Sequence, residues 1–238
     1  MINKVVDRIY VVNLNKDISR LDIISKTMKT LGLTFQRVSG VNGYDIYPDF
    51  KDRTTLRPGQ LGCLLSHQWI IKDAISNKYQ NICVLEDDIV FHKQFLKLFK
   101  KKFKSLTKTT NKKIDLLYLG CSQKHKWKNI IFNQHYITGN MFFGTFGMII
   151  NKKMFDPILQ HSSLLKYPID EVLVKLQKRF HTYCLYPYLI TVHPQSHSNT
   201  TPTTNNVLTD QNLCVNPKYY EKNRLSLSDF FVYPINQM

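Results

Sequence analysis

The chain alternates short apolar runs with amphipathic segments, which is typical of an α/β protein. "DRIYVVNL" (7–14) is rich in β-branched and aromatic residues and predicts a buried strand. Residues 17–32 predict an amphipathic helix that ends at Gly32. The apolar positions of that helix, at spacings of three and four, are Leu21, Ile24, Met28 and Leu31. "TFQRVSGVNG" (34–43) predicts a second strand ending in a glycine turn, so the opening is a β-α-β unit with parallel strands.

The alternation continues to about residue 195. Helices are predicted in 57–77, 91–106 and 167–179, strands in 81–91 and 113–120, a strand followed by a helix in 141–160, and a last ordered segment in 181–195. From "SHSNTTPTTNN" onward the composition is polar and rich in turn-forming residues. We therefore expect one α/β domain over 1–200 and a polar, partly ordered tail over 201–238.

Composition narrows the class of protein. The hydrophobic fraction of 43% is sufficient for a core without covalent crosslinks. The five cysteines are scattered and form no CxxC pair, which favours neither a disulfide framework nor a zinc cluster. The N-terminus has no apolar leader, and no run approaches the ~18 apolar residues of a membrane span. We expect a bacterial or viral protein of the cytoplasm, either soluble or peripheral at a membrane.

The net charge of +16 favours anionic partners: nucleic acid, phospholipid headgroups, nucleotides or phosphorylated glycans. Much of it lies in "KLFKKKFKSLTKTTNKK" (97–113), which also fits a solvated helix end and loop. A lysine-rich, AT-rich genome is a further explanation of the excess. No RNP, zinc-finger or helix-turn-helix pattern occurs, so no specific nucleic-acid recognition is predicted, although a basic nucleic-acid-binding module stays an alternative.

Three consecutive acids end an apolar run in "NICVLEDDIVF" (81–91). Burying a carboxylate without a partner costs several kcal/mol, so Glu86, Asp87 and Asp88 need an explanation. A helix cap is disfavoured because "IVF" continues the strand-like pattern. A surface turn and a metal site at a strand end both remain; clustered carboxylates suit Mg²⁺ or Mn²⁺.

Six segments together resemble glycosyltransferase family 25, the lipooligosaccharide and procollagen β-galactosyltransferase group. They are "IYVVNLNKDISRLDIISKTMKTLGLTFQRVSGVNGYD", "RPGQLGCLLSHQWIIKDA", "ICVLEDDIVF", "IDLLYLG", "GTFGMIINKKMFDPIL" and "YPIDEVL", in that order. The resemblance implies a GT-A type, nucleotide-sugar-binding α/β fold over 1–200 with a mostly parallel central sheet flanked by helices. It also implies an enzyme that moves a hexose, galactose or glucose, from a UDP-sugar with inversion, using Mn²⁺ or Mg²⁺. The acceptor would be a glycan, a glycolipid or hydroxylysine of a collagen-like protein; the number of subunits is not predicted.

The resemblance also assigns donor-binding residues. They are Asn13, Leu14, Arg20, Val41, Asn42, Gly43, Gly62, Ser66, His67, Glu86 and Asp87. A guanidinium at Arg20 could pair with the diphosphate, and the alternative is an exposed helix charge. Gly43 is equally explained as a turn residue, and His67 as a buried core histidine. Gln60 stands where the family pattern has glutamate, which removes one carboxylate.

Metal and base assignments follow from the same resemblance. Glu86, Asp88 and His193 are the expected metal ligands, with His197 as a second late histidine. Asp170 and Glu171 in "YPIDEVL" are the candidate catalytic bases, and Asp170 is preferred because it occupies the aspartate position of the motif. Their alternative role is that of helix N-terminal acids. A degenerate glycosyltransferase fold, kept as a scaffold or acceptor-binding protein, is the alternative function.

Overall fold

The computed structural model describes residues 2–111, 113–122, 131–132, 135–139, 141–193 and 229–231. The helices are α1 (Ile18–Thr30), α2 (Gly43–Phe50), α3 (Pro58–Ser76), α4 (Phe95–Thr109), α5 (Phe155–Ser162) and α6 (Ile169–Gln177). The strands are β1 (Arg8–Asn13), β2 (Gln36–Ser39), β3 (Asn81–Glu86), β4 (Ile89–Phe91), β5 (Leu116–Tyr118), β6 (Ile131–Phe132), β7 (Tyr136–Thr138), β8 (Gly147–Asn151), β9 (Thr182–Leu185) and β10 (Ile190–Val192). Short 3₁₀ turns lie at Ile2–Lys4 and Lys152–Met154. None of the described helices has both the length and the apolar character needed to span a membrane.

The central sheet has eight strands in the order β2-β1-β3-β8-β5-β9-β7-β6. Strand β1 pairs in parallel with both β2 and β3, and β5 pairs in parallel with β9. The strands β8 and β7 are antiparallel to their neighbours, so six of the eight strands run in one direction. The predicted fold class, α/β with a mostly parallel central sheet flanked by helices, is confirmed.

Helices cover both faces of this sheet. On one face α3, α5 and α6 pack on alternate strand residues such as Tyr10 and Val84. On the other face α1 and α4 pack on the intervening residues, such as Val11 and Leu85. A strand covered on both faces has no polar side, which explains the uninterrupted apolar runs of β1 and β3. Both strands thereby hold their last residues fixed at the same sheet edge.

The prediction of a single strand over 81–91 was wrong. The chain leaves β3 after Glu86, turns at Asp87 and Asp88, and enters β4, which pairs antiparallel with β10 in a second, two-stranded sheet. The apolar residues of β4 are buried in this separate ladder, so their pattern looked continuous with β3. The acid cluster is therefore a turn at the end of a strand.

Helix α1 agrees closely with its sequence pattern, whereas two other elements were not predicted. The helix α1 ends before Gly32, which has φ of +62°, the left-handed conformation that glycine adopts without strain. Helix α2 and the hairpin β6–β7 were not predicted. In the predicted tail the structure describes 229–231, where Phe230 is buried against the core and bridges His92.

Lys102 is a buried cation on α4. Its side chain is 5% exposed, and its ammonium donates to the carbonyl of Tyr186. Burial, followed by the charge of Lys101, lowers the pKa of Lys102 to about 8. An unfolded lysine titrates near pH 10.4, so the unfolded chain binds more protons than the folded one between these values. The free energy of unfolding therefore rises with pH across that window.

Replacing Lys102 by methionine is expected to remove this rise. From pH 7 to pH 10 the free energy of unfolding of the wild type should rise by about 2 kcal/mol relative to that of Lys102→Met, after allowance for solvent screening. Urea unfolding at several pH values measures it. The exposed Lys72 on α3 provides the control, because its charge is not among the causes that lower the pKa of Lys102, and Lys72→Met should follow the wild-type profile. Parallel profiles for Lys102→Met and the wild type would contradict the assignment.

Candidate functional site: an acidic cleft at the ends of β1 and β3

A cleft opens at the edge of the sheet where β1, β2 and β3 end. The parallel neighbours of β1 on its two sides make this a topological switch point, where open α/β sheets bind ligands. The cleft encloses about 730 Å³ of empty space, including its open mouth. It is lined by Val12, Leu14, Lys16, Arg20, Gly40, Val41, Asn42, Gly43, Tyr44, Gly59, Cys63, Ser66, His67, Glu86, Asp87 and Asp88.

The three acids form one wall of the cleft. Glu86 Oε1 accepts a hydrogen bond of 2.5 Å from Thr145 Oγ1, and Asp87 Oδ2 accepts one of 2.7 Å from Asn13 Nδ2. Burial is the largest cause that raises the pKa of Glu86 and of Asp87, and the charge of Asp88 raises both further. The wall is therefore a set of partly desolvated carboxylates that repel one another, an arrangement that an added cation would stabilise.

Arg20 faces these acids. Its Nη1 lies 3.5 Å from Asp87 Oδ1 and 4.0 Å from Asp88 Oδ2, and its side chain is only 12% exposed. The alternative of an exposed helix charge was therefore wrong. The N-terminal turn of α1 directs the guanidinium into the cleft. There it offsets part of the charge of the acids and places a cationic group beside them.

Asn13 supports the acids from below and does not line the cleft. Besides its bond to Asp87, its Nδ2 donates to the Asp17 carbonyl at 2.9 Å, and its Oδ1 accepts from Arg37 Nε at 2.9 Å. The side chain is 2% exposed. Asn13 therefore connects β1, β2 and the acidic turn, and it fixes the orientation of the Asp87 carboxylate.

Gly43 and Gly62 allow two helices to meet. A Cβ atom on Gly43 would lie 1.7 Å from the Pro58 carbonyl oxygen, and one on Gly62 would lie 2.3 Å from the Val41 carbonyl oxygen. Gly62 does not line the cleft. The backbone that approaches it most closely is that of Val41, just before α2, so the missing side chain serves this contact and not a ligand. Gly43 does both, since it begins α2 and lines the cleft. Asn42 caps α2 by accepting from the N–H of Tyr44.

Ser66 and His67 lie on the inner face of α3. Ser66 Oγ accepts from the N–H of Val41 at 2.9 Å and donates to the Gly62 carbonyl at 2.7 Å, so it holds the β2–α2 loop on α3. His67 Nδ1 lies 2.9 Å from the Cys63 carbonyl, and burial lowers the pKa of His67. With Nδ1–H donating to that carbonyl, Nε2 is an acceptor; it is buried and has no hydrogen-bond partner among the described residues.

Gln60 caps α3. Its Oε1 accepts from the N–H of Arg57 at 3.0 Å, and Pro58 occupies the first turn. Gln60 is not among the residues that line the cleft. Glutamine and glutamate both provide the accepting oxygen. The cap is therefore kept although Gln60 replaces the glutamate of the family pattern.

Asp170 begins α6 on the same side of the sheet as α3. Its Oδ1 accepts from the N–H of Glu171 at 2.9 Å, and both side chains are partly exposed. The charge of Asp170 adds to the raised pKa of Glu86 and of Cys63, after burial as the main cause, which brings Asp170 electrostatically close to the acidic wall. Glu171 is not among the main causes of either raised pKa. Both base candidates thus lie at a helix N-terminus, and neither is among the residues that line the cleft.

His193 lies beside the acidic turn. It follows β10, is 1% exposed, and its backbone N–H donates to the Asp88 carbonyl at 2.6 Å. The β4–β10 ladder therefore brings the backbone of His193 beside Asp88. His197 lies outside the described residues.

Comparison with known proteins identifies the family. A model of "Glycosyltransferase family 25 (LPS biosynthesis protein)" matches residues 6–173. The chain belongs to glycosyltransferase family 25. Human procollagen galactosyltransferase 2 is 28% identical over 131 residues, which are 48% of this chain and 20% of the human protein. A glycosyltransferase 25 family member of Aedes aegypti is 24% identical over 186 residues, 71% of this chain and 30% of that protein.

The family 25 chain thus spans less than a third of the length of these relatives. A solved structure, that of mannose-1-phosphate geranyltransferase from Thermus thermophilus, aligns with a TM-score of 0.40 at 9% identity. The alignment covers 76% of this chain and 73% of that one.

The predicted metal set of this family 25 chain is not assembled as an all-protein site. In the part of the chain that the structure describes, no three His, Cys, Asp or Glu side chains are arranged to hold a metal ion. One oxygen of Glu86 accepts from Thr145, and the bond between His193 and Asp88 joins backbone atoms. Mg²⁺, however, commonly takes only one or two carboxylates and completes its shell with phosphate oxygens and water. The clustered acids fit a cation shared with a phosphate ligand.

Several residues of the cleft were missed from the sequence. Lys16 and Tyr44 line its mouth, Cys63 lines its interior, and Thr145 holds Glu86. Lys16, Tyr44 and Cys63 adjoin motif residues, so their position in those motifs was an available signal. Thr145 had none, because only the antiparallel pairing of β8 with β3 brings its segment to the acids.

Proposed function

We propose that this chain is a metal-dependent, inverting glycosyltransferase that moves a hexose from a UDP-sugar to a hydroxyl of a glycan, a glycolipid or hydroxylysine. The observation that supports this most directly is the cleft itself. In a family 25 chain, three acids and a facing arginine line one pocket at the carboxyl ends of parallel strands. That combination suits a nucleoside diphosphate, whose phosphates need cationic partners and whose leaving charge needs neutralising.

Glu86 and Asp88 are the residues that would hold a divalent cation together with the donor diphosphate. When bound, Mn²⁺ or Mg²⁺ supplies stabilisation of the negative charge that develops on the departing UDP. Asp87 stays engaged with Asn13 and Arg20, and so would keep the arginine in position beside the phosphates. Lys16 at the mouth adds a second cationic group to the phosphate side of the cleft.

Asp170 is the proposed base. The acceptor hydroxyl oxygen would attack the anomeric carbon while the bond from that carbon to the UDP phosphate oxygen breaks. The hydroxyl proton would pass to the Asp170 carboxylate, and the electron pair would leave with UDP. The electrostatic proximity of Asp170 to Glu86 and Cys63 supports a place beside the sugar end of the cleft.

Tyr44 is the proposed stacking partner of the uracil ring. It is 54% exposed, lines the mouth, and follows the predicted donor residues Asn42 and Gly43. Removing a ring that stacks on a base usually costs about 1–3 kcal/mol, so Tyr44→Ala is expected to weaken UDP binding by about 5- to 150-fold, and Tyr44→Phe by less than about threefold. Calorimetric titration with UDP measures both. The exposed Tyr167 is outside the cleft, and Tyr167→Ala should bind as the wild type does.

The decisive experiment for the proposed function is a screen of UDP-sugars by calorimetry, with and without Mn²⁺, followed by donor hydrolysis. Metal-dependent binding of one UDP-hexose, lost in Asp88→Asn, is the expected result. Binding without any hydrolysis or transfer would favour the degenerate scaffold. Equal binding with and without metal, or no binding of any nucleotide sugar, would overturn the proposal.

A further inference from the structure

The positive charge of this protein is concentrated in one segment. Nine of the 33 Lys and Arg residues, and none of the 17 Asp and Glu residues, lie in 89–114, so that this segment carries +9 of the net +16. A genomic bias toward lysine would spread lysines along the chain and would not remove acids from one stretch. The segregation therefore needs a local explanation.

Helix α4 arranges these lysines on one side. Its exposed lysines are Lys97, Lys100, Lys101, Lys104 and Lys108, here called the lysine face. At 100° per residue they fall within an arc of about 100°. The opposite side of the helix is buried and contributes Phe95, Phe99 and Leu106 to the core. The face is a straight row about 17 Å long from Lys97 to Lys108, at the helical rise of about 1.5 Å per residue.

The lysine face weakens the helix that carries it. Like charges three or four residues apart destabilise a helix, and the face contains five such pairs, Lys97–Lys101 and Lys104–Lys108 among them. Within the described part of the chain none of these lysines forms an ion pair. A row of charges that opposes folding and has no ion-pair partner among the described residues points to an external anionic partner.

We propose that the lysine face docks this protein on the surface of an anionic lipid bilayer. The row is straight and solvent-facing, which suits a plane of headgroups. In the described part of 89–114 no large apolar side chain is exposed, so that adsorption is electrostatic and without insertion. The segment also lacks arginine and exposed aromatic rings, the groups that pair with guanine and stack on bases, which disfavours nucleic acid.

The docking proposal does not depend on the proposed transferase activity. The lysine face lies on the side of the sheet that α1 and α4 cover. The opposite side is covered by α3 and α6, the helices that carry the proposed donor and base residues Ser66, His67 and Asp170. The cleft is at the ends of the strands, between these two sides of the sheet. A membrane-docked molecule would therefore keep the cleft open at the side.

The test is co-sedimentation of the full chain with vesicles. One set contains phosphatidylcholine alone and the other about 30% phosphatidylglycerol, at about 0.15 M salt. The test variant is Lys97→Glu with Lys104→Glu, which turns every like-charge pair of the face into an opposite-charge pair. The control is Lys72→Glu with Lys166→Glu, which changes the net charge equally at exposed positions outside α4.

The wild type is expected to bind the anionic vesicles and not the neutral ones. The α4 variant should lose at least about 30-fold in partition coefficient, the loss for removing two lysines from the surface of an anionic membrane, and should melt at a higher temperature than the wild type. The control should stay within about twofold of the wild type. Equal losses in both variants would overturn the proposal, since net charge alone would then explain binding. Tighter binding to a single-stranded RNA probe, lost only in the α4 variant, would also overturn it.

Discussion

Asp170→Asn is expected to lower kcat of hexose transfer by about 10²- to 10⁴-fold, with the affinity for UDP nearly unchanged. Asparagine has the same shape and can still accept from the N–H of Glu171, but its amide cannot take the acceptor proton. Single-turnover transfer from the best UDP-sugar measures the chemical step, and calorimetry with UDP measures binding. A loss confined to kcat distinguishes a base from a residue that only shapes the cleft.

Glu171→Gln is the matched control. It removes the same charge one residue along α6, at a position whose carboxylate is not among the main causes that raise the pKa of Glu86 or of Cys63. Transfer by Glu171→Gln should remain within about threefold of the wild type. The reverse pattern, with Glu171→Gln inactive and Asp170→Asn active, would assign the base to Glu171. Full activity of both variants would remove α6 from the chemistry.

Gly43→Ala is expected to lower the free energy of unfolding by about 3 kcal/mol or more. The added Cβ would lie 1.7 Å from the backbone oxygen of Pro58, and a backbone atom at the start of α3 cannot move aside without shifting the helix. Urea unfolding gives the change in stability, and UDP binding should fall with it, because α2 and α3 together frame the cleft.

Gly40→Ala is the control for that substitution. Its Cβ would meet the end of the Leu14 side chain at 3.1 Å, and that side chain can rotate, so a cost below about 1.5 kcal/mol is expected. Gly62→Ala meets the Val41 carbonyl at 2.3 Å at the same helix crossing. The double variant Gly43→Ala with Gly62→Ala should cost less than the sum of the two single changes, because one separation of α2 from α3 relieves both clashes. Near wild-type stability of Gly43→Ala would contradict the role assigned to the crossing.

The sequence predicted the cleft residues more accurately than their roles. Val41, Asn42, Gly43, Ser66 and His67 all came from short motifs, and all line the cleft. Gly62 came from the same motifs but serves the contact between α2 and α3. A motif shows that a residue is constrained without showing whether the constraint comes from a ligand or from packing.

The acid cluster shows the same limit. Its position at the end of β3 followed from an apolar run that stops at Glu86. The change of direction at Asp87 and Asp88 did not, because β4 is as apolar as β3 and its partner β10 lies about 100 residues away in the chain. The hydrogen bonds that orient the acids, from Asn13 and Thr145, likewise come from distant strands.

By itself the sequence determined the alternation of strands and helices, the family and the location of the acids, because these depend on local periodicity and on contiguous motifs. The tertiary structure decided which residues face the cleft and that Arg20 turns inward against Asp87. These facts depend on which strands pair and on which face of each helix is buried. Both are settled by contacts between residues far apart in the chain, and no local pattern encodes them.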